Sequence, residues 1–347
     1  MRKYLYIIKI NFNTLTWLID VHVVIFALLL MVNGGFVMMN HFLKITKKIS
    51  LKTSILISVL LGFFTSYAVI AGTAVNNEFS RAGVLSHVYS SNLLARDYVI
   101  DVILPPGFNP QDQDKKYPVI YILDGYVHFP MTGFNMYLEQ LVGDDGASKT
   151  PKAIVVGIEQ PIMKYDWKIR TLDMTPTEIE KNGNVIGGGA DKFLSFLNDE
   201  LKPFINSTYS GDVNDQTILG HSLGGLFTLY TLFSQPESFD RYVIGSPTTW
   251  WDDDYIFELE DDFSEGNVDL KKHVYLFVGG DEVCNSDGEL CGVAGVRKMT
   301  RKLKSRGYAS LNVTKKVFKN EHHNSVVAPG YDQGLKFVMG RLTRKSK

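Results

Sequence analysis

The pentapeptide Gly220-His221-Ser222-Leu223-Gly224 has the Gly-x-Ser-x-Gly spacing that can hold a nucleophilic serine in a tight turn. A short β-branched run, Thr217–Gly220, precedes it, and a helical run, Leu223–Phe233, follows it. The pentapeptide alone also fits an ordinary turn serine, but this order predicts a strand, a sharp elbow and a helix. We expect side chains at positions 220 and 224 to clash with neighbouring backbone. At a helix N-terminus, free N–H groups favour the negative charge that develops during attack on a carbonyl.

A serine nucleophile needs a general base, and the base needs a carboxylate that orients it. Two polar loops after predicted strands offer these groups. One contains Asp281 and Glu282, and the other contains His322 and His323. His221 adjoins the serine, but we expect it to point away from the elbow and to be structural.

The elements that must position these residues alternate from residue 83 onward. Predicted strands are Val84–Ser90, Tyr98–Leu104, Val119–Leu123, Ala153–Gly157, Thr217–Gly220, Arg241–Gly245, Val274–Val278 and Asn312–Phe318. Predicted helices are Asp191–Ile205, capped by Asp191, and Leu223–Phe233, Val293–Arg306 and Val326–Leu342. This order predicts an α/β fold with a mostly parallel, doubly wound sheet of about eight strands. The first two strands are expected to form an antiparallel hairpin. In such sheets the chemistry lies at the carboxyl ends of the strands.

A second group of features concerns targeting. A lysine-rich stretch precedes the apolar run Ile55–Phe64, and small residues follow up to Ala74. This order predicts a signal peptide over residues 39–74, cleaved after Ala74 or, alternatively, after Ala71. The remaining residues, 75–347, are predicted to form a single domain that is periplasmic or secreted.

An earlier apolar segment, residues 15–39, is long enough to cross a bilayer but contains Asp20, His22 and Asn33. Three interpretations stay open. The segment is a membrane anchor, it is part of a two-segment anchor, or translation begins at Met38 or Met39. In the last case residues 1–38 are not part of the protein, and a membrane partner is expected only if the apolar segment is retained.

Charge and cysteine content narrow the class further. Residues 75–347 carry 29 Lys or Arg and 36 Asp or Glu, a net charge of −7. Because nucleic acid requires a basic face, we expect no nucleic-acid partner. The only cysteines, Cys284 and Cys291, are expected to form a disulfide in an exported protein. No second pair of ligands accompanies them in the sequence, so no metal is predicted.

Five stretches together resemble the esterase branch of the α/β-hydrolases. This branch includes siderophore esterases of the enterobactin type, S-formylglutathione hydrolases, feruloyl esterases and mycolyltransferases. The resemblance covers about residues 83–342 and is greatest to the siderophore esterases. It rests on Tyr117–Gly125, Arg170–Pro176, Gly220–Gly225, Ser246–Trp251 and His323–Val326.

The resemblance implies roles for individual residues. His323 matches the base, with His322 as the alternative, and Glu282 matches the acid, with Asp281 as its rival. The oxyanion hole is expected to use the backbone N–H groups of Leu223 and Tyr126.

Three further residues lie in segments that the resemblance marks. Arg170 either binds a polar group of the substrate or pairs with Asp173 or another carboxylate. Trp250 and Trp251 either line an acyl or aromatic pocket or cover the edge of the sheet.

The function expected from these residues is that of an exported serine esterase without a cofactor. It would act on a small-molecule ester, such as a siderophore ester. The alternative is an acyltransferase that passes the acyl group to a sugar or lipid alcohol. The oligomeric state is not predicted by any of these patterns.

Overall fold

The computed structural model describes residues 83–112, 114–142, 151–160, 166–283 and 292–340. The two N-terminal apolar segments, the cleavage sites at Ala71 and Ala74, and Cys284 and Cys291 lie outside these ranges. The signal peptide, the domain boundaries and the disulfide therefore stay predictions.

Eight strands form one sheet in the order β1-β2-β4-β3-β7-β8-β9-β10. The strands are β1 (Val84–Ser91), β2 (Arg96–Ile103), β3 (Tyr117–Leu123), β4 (Ile154–Glu159), β7 (Gly211–His221), β8 (Arg241–Gly245), β9 (His273–Gly279) and β10 (Asn312–Phe318). Strand β2 is antiparallel to both β1 and β4, and the other pairs are parallel. The predicted fold, with its N-terminal antiparallel hairpin, is confirmed.

Helices cover both faces of this sheet. They are α1 (Gly125–Leu141), α2 (Trp167–Met174), α3 (Ala190–Phe196), α4 (Lys202–Tyr209), α5 (Leu223–Ser234), α6 (Tyr255–Gly266), α7 (Gly292–Ser305) and α8 (Val327–Val338), with a π-helical turn, Leu197–Leu201, joining α3 to α4. Helices α1, α2 and α6 are absent from the prediction. The helix near residue 190 begins one residue early, with Gly189 at its N-cap, so the prediction that Asp191 caps it is wrong.

A small hairpin forms between α2 and α3. It consists of β5 (Glu178–Lys181) and β6 (Asn184–Gly187), which pair with each other and not with the main sheet. Among the described residues, no helix combines the length and the hydropathy needed to cross a bilayer.

Candidate active site

Ser222 lies at a strained elbow between β7 and α5. Its backbone has φ 60° and ψ −119°, a combination that a residue with a side chain rarely adopts. The Ser222 N–H is held by the carbonyl of Gly245 on the neighbouring strand, at 3.0 Å. The surrounding hydrogen bonds thus maintain the turn that the motif predicts.

The glycines around Ser222 differ in how much space a side chain would have at each position. A Cβ at Gly220 would lie 2.1 Å from the carbonyl oxygen of Gly224, so the predicted clash at position 220 is present. A Cβ at Gly224 would have only side-chain atoms as its nearest neighbours, the carboxylate of Asp124 at 3.3 Å and then Leu123, so the predicted backbone clash there is wrong. The close backbone approach falls instead at Gly225, where a Cβ would lie 2.6 Å from the carbonyl of Gly245.

Both predicted oxyanion donors lie at the N-termini of helices that follow adjacent strands of the sheet. Helix α1 begins at Gly125 and helix α5 at Leu223, directly after the adjacent parallel strands β3 and β7. The first N–H groups of a helix have no acceptor within the helix. The N–H groups of Tyr126 and Leu223 therefore occur at the same edge of the sheet as Ser222, where an oxyanion could accept from both.

Glu282 and His323 are brought together by two loops at the carboxyl edge of the sheet. His323 Nδ1 lies 2.6 Å from Glu282 Oε2. The other oxygen of Glu282 accepts hydrogen bonds from the Ser246 hydroxyl at 2.7 Å and from the Gly279 N–H at 2.8 Å. Burial alone would raise the pKa of Glu282, but the hydrogen bonds from His323, Ser246 and Gly279 outweigh it, and the pKa is lowered. The carboxylate is therefore ionised at neutral pH.

Asp281 and His322, the alternatives for the acid and the base, have other hydrogen-bond partners. Asp281 is exposed, and its backbone N–H donates to the carbonyl of Glu321 at 3.1 Å. His322 is also exposed, and its Nδ1 accepts from the backbone N–H of Asn324 at 3.3 Å. The geometry thus favours Glu282 and His323 as the acid and base, because only they are hydrogen-bonded to each other.

The ring of His323 lies beside the elbow. Its centroid is 4.5 Å from that of His221, the residue that precedes Ser222. Within the described part of the chain, no hydrogen bond joins the Ser222 hydroxyl to His323. Such bonds are often long in the absence of substrate and tighten when the substrate binds.

Behind this site lies a buried cluster of aromatic rings, of which the sequence analysis identified only His221. His128 on α1 and His221 are both buried, with ring centroids 5.7 Å apart, and Tyr331 on α8 packs against His128. Burial is the main cause that lowers the pKa of both histidines. His221 is therefore a neutral, buried neighbour of His323, as its predicted structural role requires.

Arg170 is buried and forms a two-pronged ion pair with Asp124. Its Nε and Nη2 donate to the two carboxylate oxygens at 2.7 and 2.8 Å, and Nη2 also donates to the carbonyl of His221 at 3.4 Å. Asp173 pairs instead with Arg96 and accepts from the Tyr98 hydroxyl. The structure thus favours a structural role for Arg170, with Asp124 in place of Asp173.

This pairing also shows what Arg170 holds together. Asp124 is the N-cap residue of α1, and His221 is the last residue of β7. Arg170 therefore ties helix α2 to both chain segments that present the predicted oxyanion donors. Asp124 lies 46 residues away in the sequence, so no local pattern identifies it as the partner.

Replacing Arg170 with methionine is expected to lower the free energy of unfolding by about 3–5 kcal/mol, since it leaves the buried Asp124 carboxylate unpaired. Chemical denaturation measures this difference. Lys168→Met, at an exposed position of the same helix, is the control and should unfold like the wild type. A raised KM for substrate with unchanged stability in Arg170→Met would restore the predicted substrate-binding role.

The two tryptophans have different surroundings. Trp251 is buried, and its indole N–H donates to the carbonyl and the hydroxyl of Thr177, next to the small hairpin. The structure favours a packing role for Trp251 over a role in a substrate pocket, because Trp251 is hydrogen-bonded to the residue before the small hairpin. The sequence analysis did not predict this hairpin. Trp250 is half-buried, and its role stays a prediction.

No group of three or more His, Cys, Asp or Glu side chains lies close enough to hold a metal ion within the ranges that the structure describes.

Comparison with known proteins adds an independent observation. The model of a family described as "Putative esterase" matches residues 91–322, two thirds of the chain. The chain belongs to this esterase family. Among curated relatives of this esterase, the ferri-bacillibactin esterase BesA of Bacillus subtilis is 33% identical over 198 residues. That alignment covers 54% of the chain and 66% of BesA, just under two thirds of its length.

Solved structures resemble the esterase more completely. A BES protein from Bacillus cereus is 28% identical, with a TM-score of 0.65, over 75% of this chain and 97% of that protein. An IroE-like serine hydrolase from Shewanella oneidensis is 26% identical, with a TM-score of 0.62, over 73% of this chain and 79% of that protein. These likenesses support the α/β-hydrolase fold throughout the catalytic domain.

Proposed function

We propose that this protein is an exported serine esterase that hydrolyses carboxylic esters through Ser222, His323 and Glu282. The observation that carries the proposal is the 2.6 Å hydrogen bond between Glu282 and His323. The ring of His323 packs against His221, the residue that precedes Ser222. The predicted signal peptide supports the export of the enzyme.

In the proposed reaction, the Ser222 oxygen attacks the ester carbonyl carbon while Nε2 of His323 accepts the hydroxyl proton. The carbonyl oxygen becomes an oxyanion, which accepts hydrogen bonds from the N–H groups of Leu223 and Tyr126. Each such donor typically stabilises the transition state by about 3–4 kcal/mol. When the tetrahedral intermediate collapses, the C–O bond to the alcohol breaks and His323 returns the proton to the leaving oxygen.

The second half of the reaction releases the enzyme. Water attacks the acyl-Ser222 ester, again losing its proton to His323, and the collapse frees the carboxylic acid and the serine hydroxyl. Glu282 keeps the proton of His323 on Nδ1, so that Nε2 is free to accept in each half. Since the pKa of Glu282 is lowered, this carboxylate also stabilises the imidazolium that forms.

The substrate class that we propose is a siderophore ester. The ferri-bacillibactin esterase of Bacillus subtilis supports this choice, because it is 33% identical to this chain over 198 residues. An ester of a lipid or of a polysaccharide would use the same site, so the substrate must be tested directly.

The deciding experiment offers the purified protein p-nitrophenyl butyrate, an iron-free triscatecholate lactone and its ferric complex. We expect hydrolysis of the simple ester and of at least one siderophore form, with free acid as the product. Addition of an alcohol acceptor, followed by mass spectrometry, tests the alternative. Predominant formation of a new ester would identify an acyltransferase, and inertness toward every ester would refute the proposal.

A further inference from the structure

Helix α1 has two apolar faces, and the described residues bury only one of them. The covered face includes Phe129 and Met136, which pack into the core. The opposite face carries large apolar side chains at intervals of four, three, four and three residues, which lie on one stripe of a helix. These side chains are Val127, Met131, Phe134, Leu138 and Leu141, with Val142 directly after the helix, and they are between 43% and 53% exposed. We call this set the α1 stripe.

The α1 stripe is a large apolar surface for the outer face of one helix. Its side chains expose roughly 500 Å² together, which is in the range of the largest, and often functional, patch on a typical soluble protein. None of its six side chains is charged, and the ionisable side chains of α1 other than its tyrosines, the buried His128 and the half-buried Glu139, are not members of the stripe. Helices that stay exposed to water usually carry charged residues on their outer face.

We infer that the α1 stripe is the interface between two copies of this chain. The stripe has the self-complementary spacing that a twofold axis requires, because the same patch must face itself. If the two helices run antiparallel and cross at Phe134, Val127 faces Leu141 of the partner copy, because these two residues lie seven positions before and seven positions after the crossing. Met131, three positions before the crossing, lies beside the partner's Leu138, four positions after it. Each apolar side chain of the stripe within the helix then lies next to an apolar side chain, with Phe134 beside its own copy.

Charge and area favour a second copy over other occupants. The domain carries a net charge of −7, so two copies repel each other at most surfaces and can meet most readily where neither is charged. A helix that lies on a membrane usually presents Lys and Arg beside its apolar face, and α1 contains neither. The exposed apolar area matches the apolar portion of a standard interface, which buries about 800 Å² per partner.

The position of the stripe links the interface to the candidate active site. Val127 lies in the first turn of α1, one residue after the predicted oxyanion donor Tyr126. Pairing of the two helices would therefore place contacts on the outer side of the N-terminus of α1. On its inner side, the ion pair between Arg170 and Asp124 already fixes the same end of the helix.

Size-exclusion chromatography with light scattering, in the absence of detergent, tests this inference. We expect the wild-type protein to have twice the mass of one chain, and Phe134→Glu to have the mass of one chain, because it places two carboxylates at the axis. Val268→Glu is the matched control, since Val268 is 98% exposed and lies after α6, outside the stripe. This control should remain a dimer, and circular dichroism should show that both variants are folded.

A cross-linking experiment tests the register separately. Mild oxidation of Phe134→Cys should yield a covalent dimer above the wild-type background, because the two introduced cysteines meet at the axis. Val127→Cys should not do so, because it faces position 141 of the partner copy and not its own counterpart. A monomeric wild-type protein overturns the inference, as does a dimer that Phe134→Glu leaves intact. Binding of a monomer to phosphatidylcholine vesicles, lost in Phe134→Glu, would identify a lipid surface as the occupant instead.

Discussion

Ser222→Ala is expected to reduce kcat for p-nitrophenyl butyrate by about 10⁴–10⁶-fold, because the hydroxyl that forms the acyl-enzyme is gone. The substitution removes one oxygen from a half-buried side chain that makes no hydrogen bond to His323 in the described structure. The backbone hydrogen bonds that hold the elbow remain. We therefore expect a folded protein without activity, and steady-state kinetics beside a thermal melt distinguish this outcome from unfolding.

Ser234→Ala is the control for this variant. Ser234 lies at the other end of the same helix, α5, and its hydroxyl donates to the carbonyl of Tyr230. Its removal should leave kcat near that of the wild type. A fluorophosphonate should inactivate the wild type and this control, and should add mass to the peptide containing Ser222. Turnover within tenfold of the wild type in Ser222→Ala would contradict the proposed mechanism.

Glu282→Gln is expected to lower kcat by about 10²–10⁴-fold with little change in KM. Glutamine keeps the shape of the side chain, and its one oxygen can still accept from Ser246 and Gly279. Its amide would donate toward Nδ1 of His323, which favours the tautomer with the proton on Nε2. Nε2 could then no longer accept the proton of Ser222, so the base would be lost while the substrate still binds.

Asp281→Asn is the matched control, because it makes the same chemical change one residue earlier. Asp281 is exposed and only Glu282 is hydrogen-bonded to His323, so this variant should retain wild-type kcat. Both variants are measured over the same pH range, because a shifted optimum could imitate a loss at one pH. A large loss in Asp281→Asn and a small loss in Glu282→Gln would make Asp281 the acid.

Local sequence patterns were sufficient for the sheet and for the elbow. The strands of the main sheet are short and mostly apolar, so their positions follow from the sequence pattern with end shifts of one or two residues. The exception is β7, which begins at Gly211, six residues before its predicted start at Thr217. Ser222 was also identifiable, because the strand, turn and helix that expose it are contiguous in the chain. Helix α1 was missed because it is apolar on two faces, and so it lacks the single polar face that marks an amphipathic helix.

Pairings between distant residues required the tertiary structure. Arg170 has Asp173 nearby on its own helix, yet it pairs with Asp124, which the end of β3 places beside it. Ser246 was marked only as part of a resemblance, and its hydrogen bond to Glu282 depends on the loops after β8 and β9 lying side by side.

Residues close together in the chain were sufficient to predict the fold, the family resemblance and the candidate nucleophile. The resemblance favoured Glu282 over Asp281 as the acid and His323 over His322 as the base, but no pattern in the chain shows which carboxylate lies beside which imidazole. The tertiary structure decided which carboxylate faces which imidazole, because neighbouring residues in a loop point in different directions. The same physical reason explains the α1 stripe, since only the packing of α1 on the sheet shows which of its apolar faces stays uncovered.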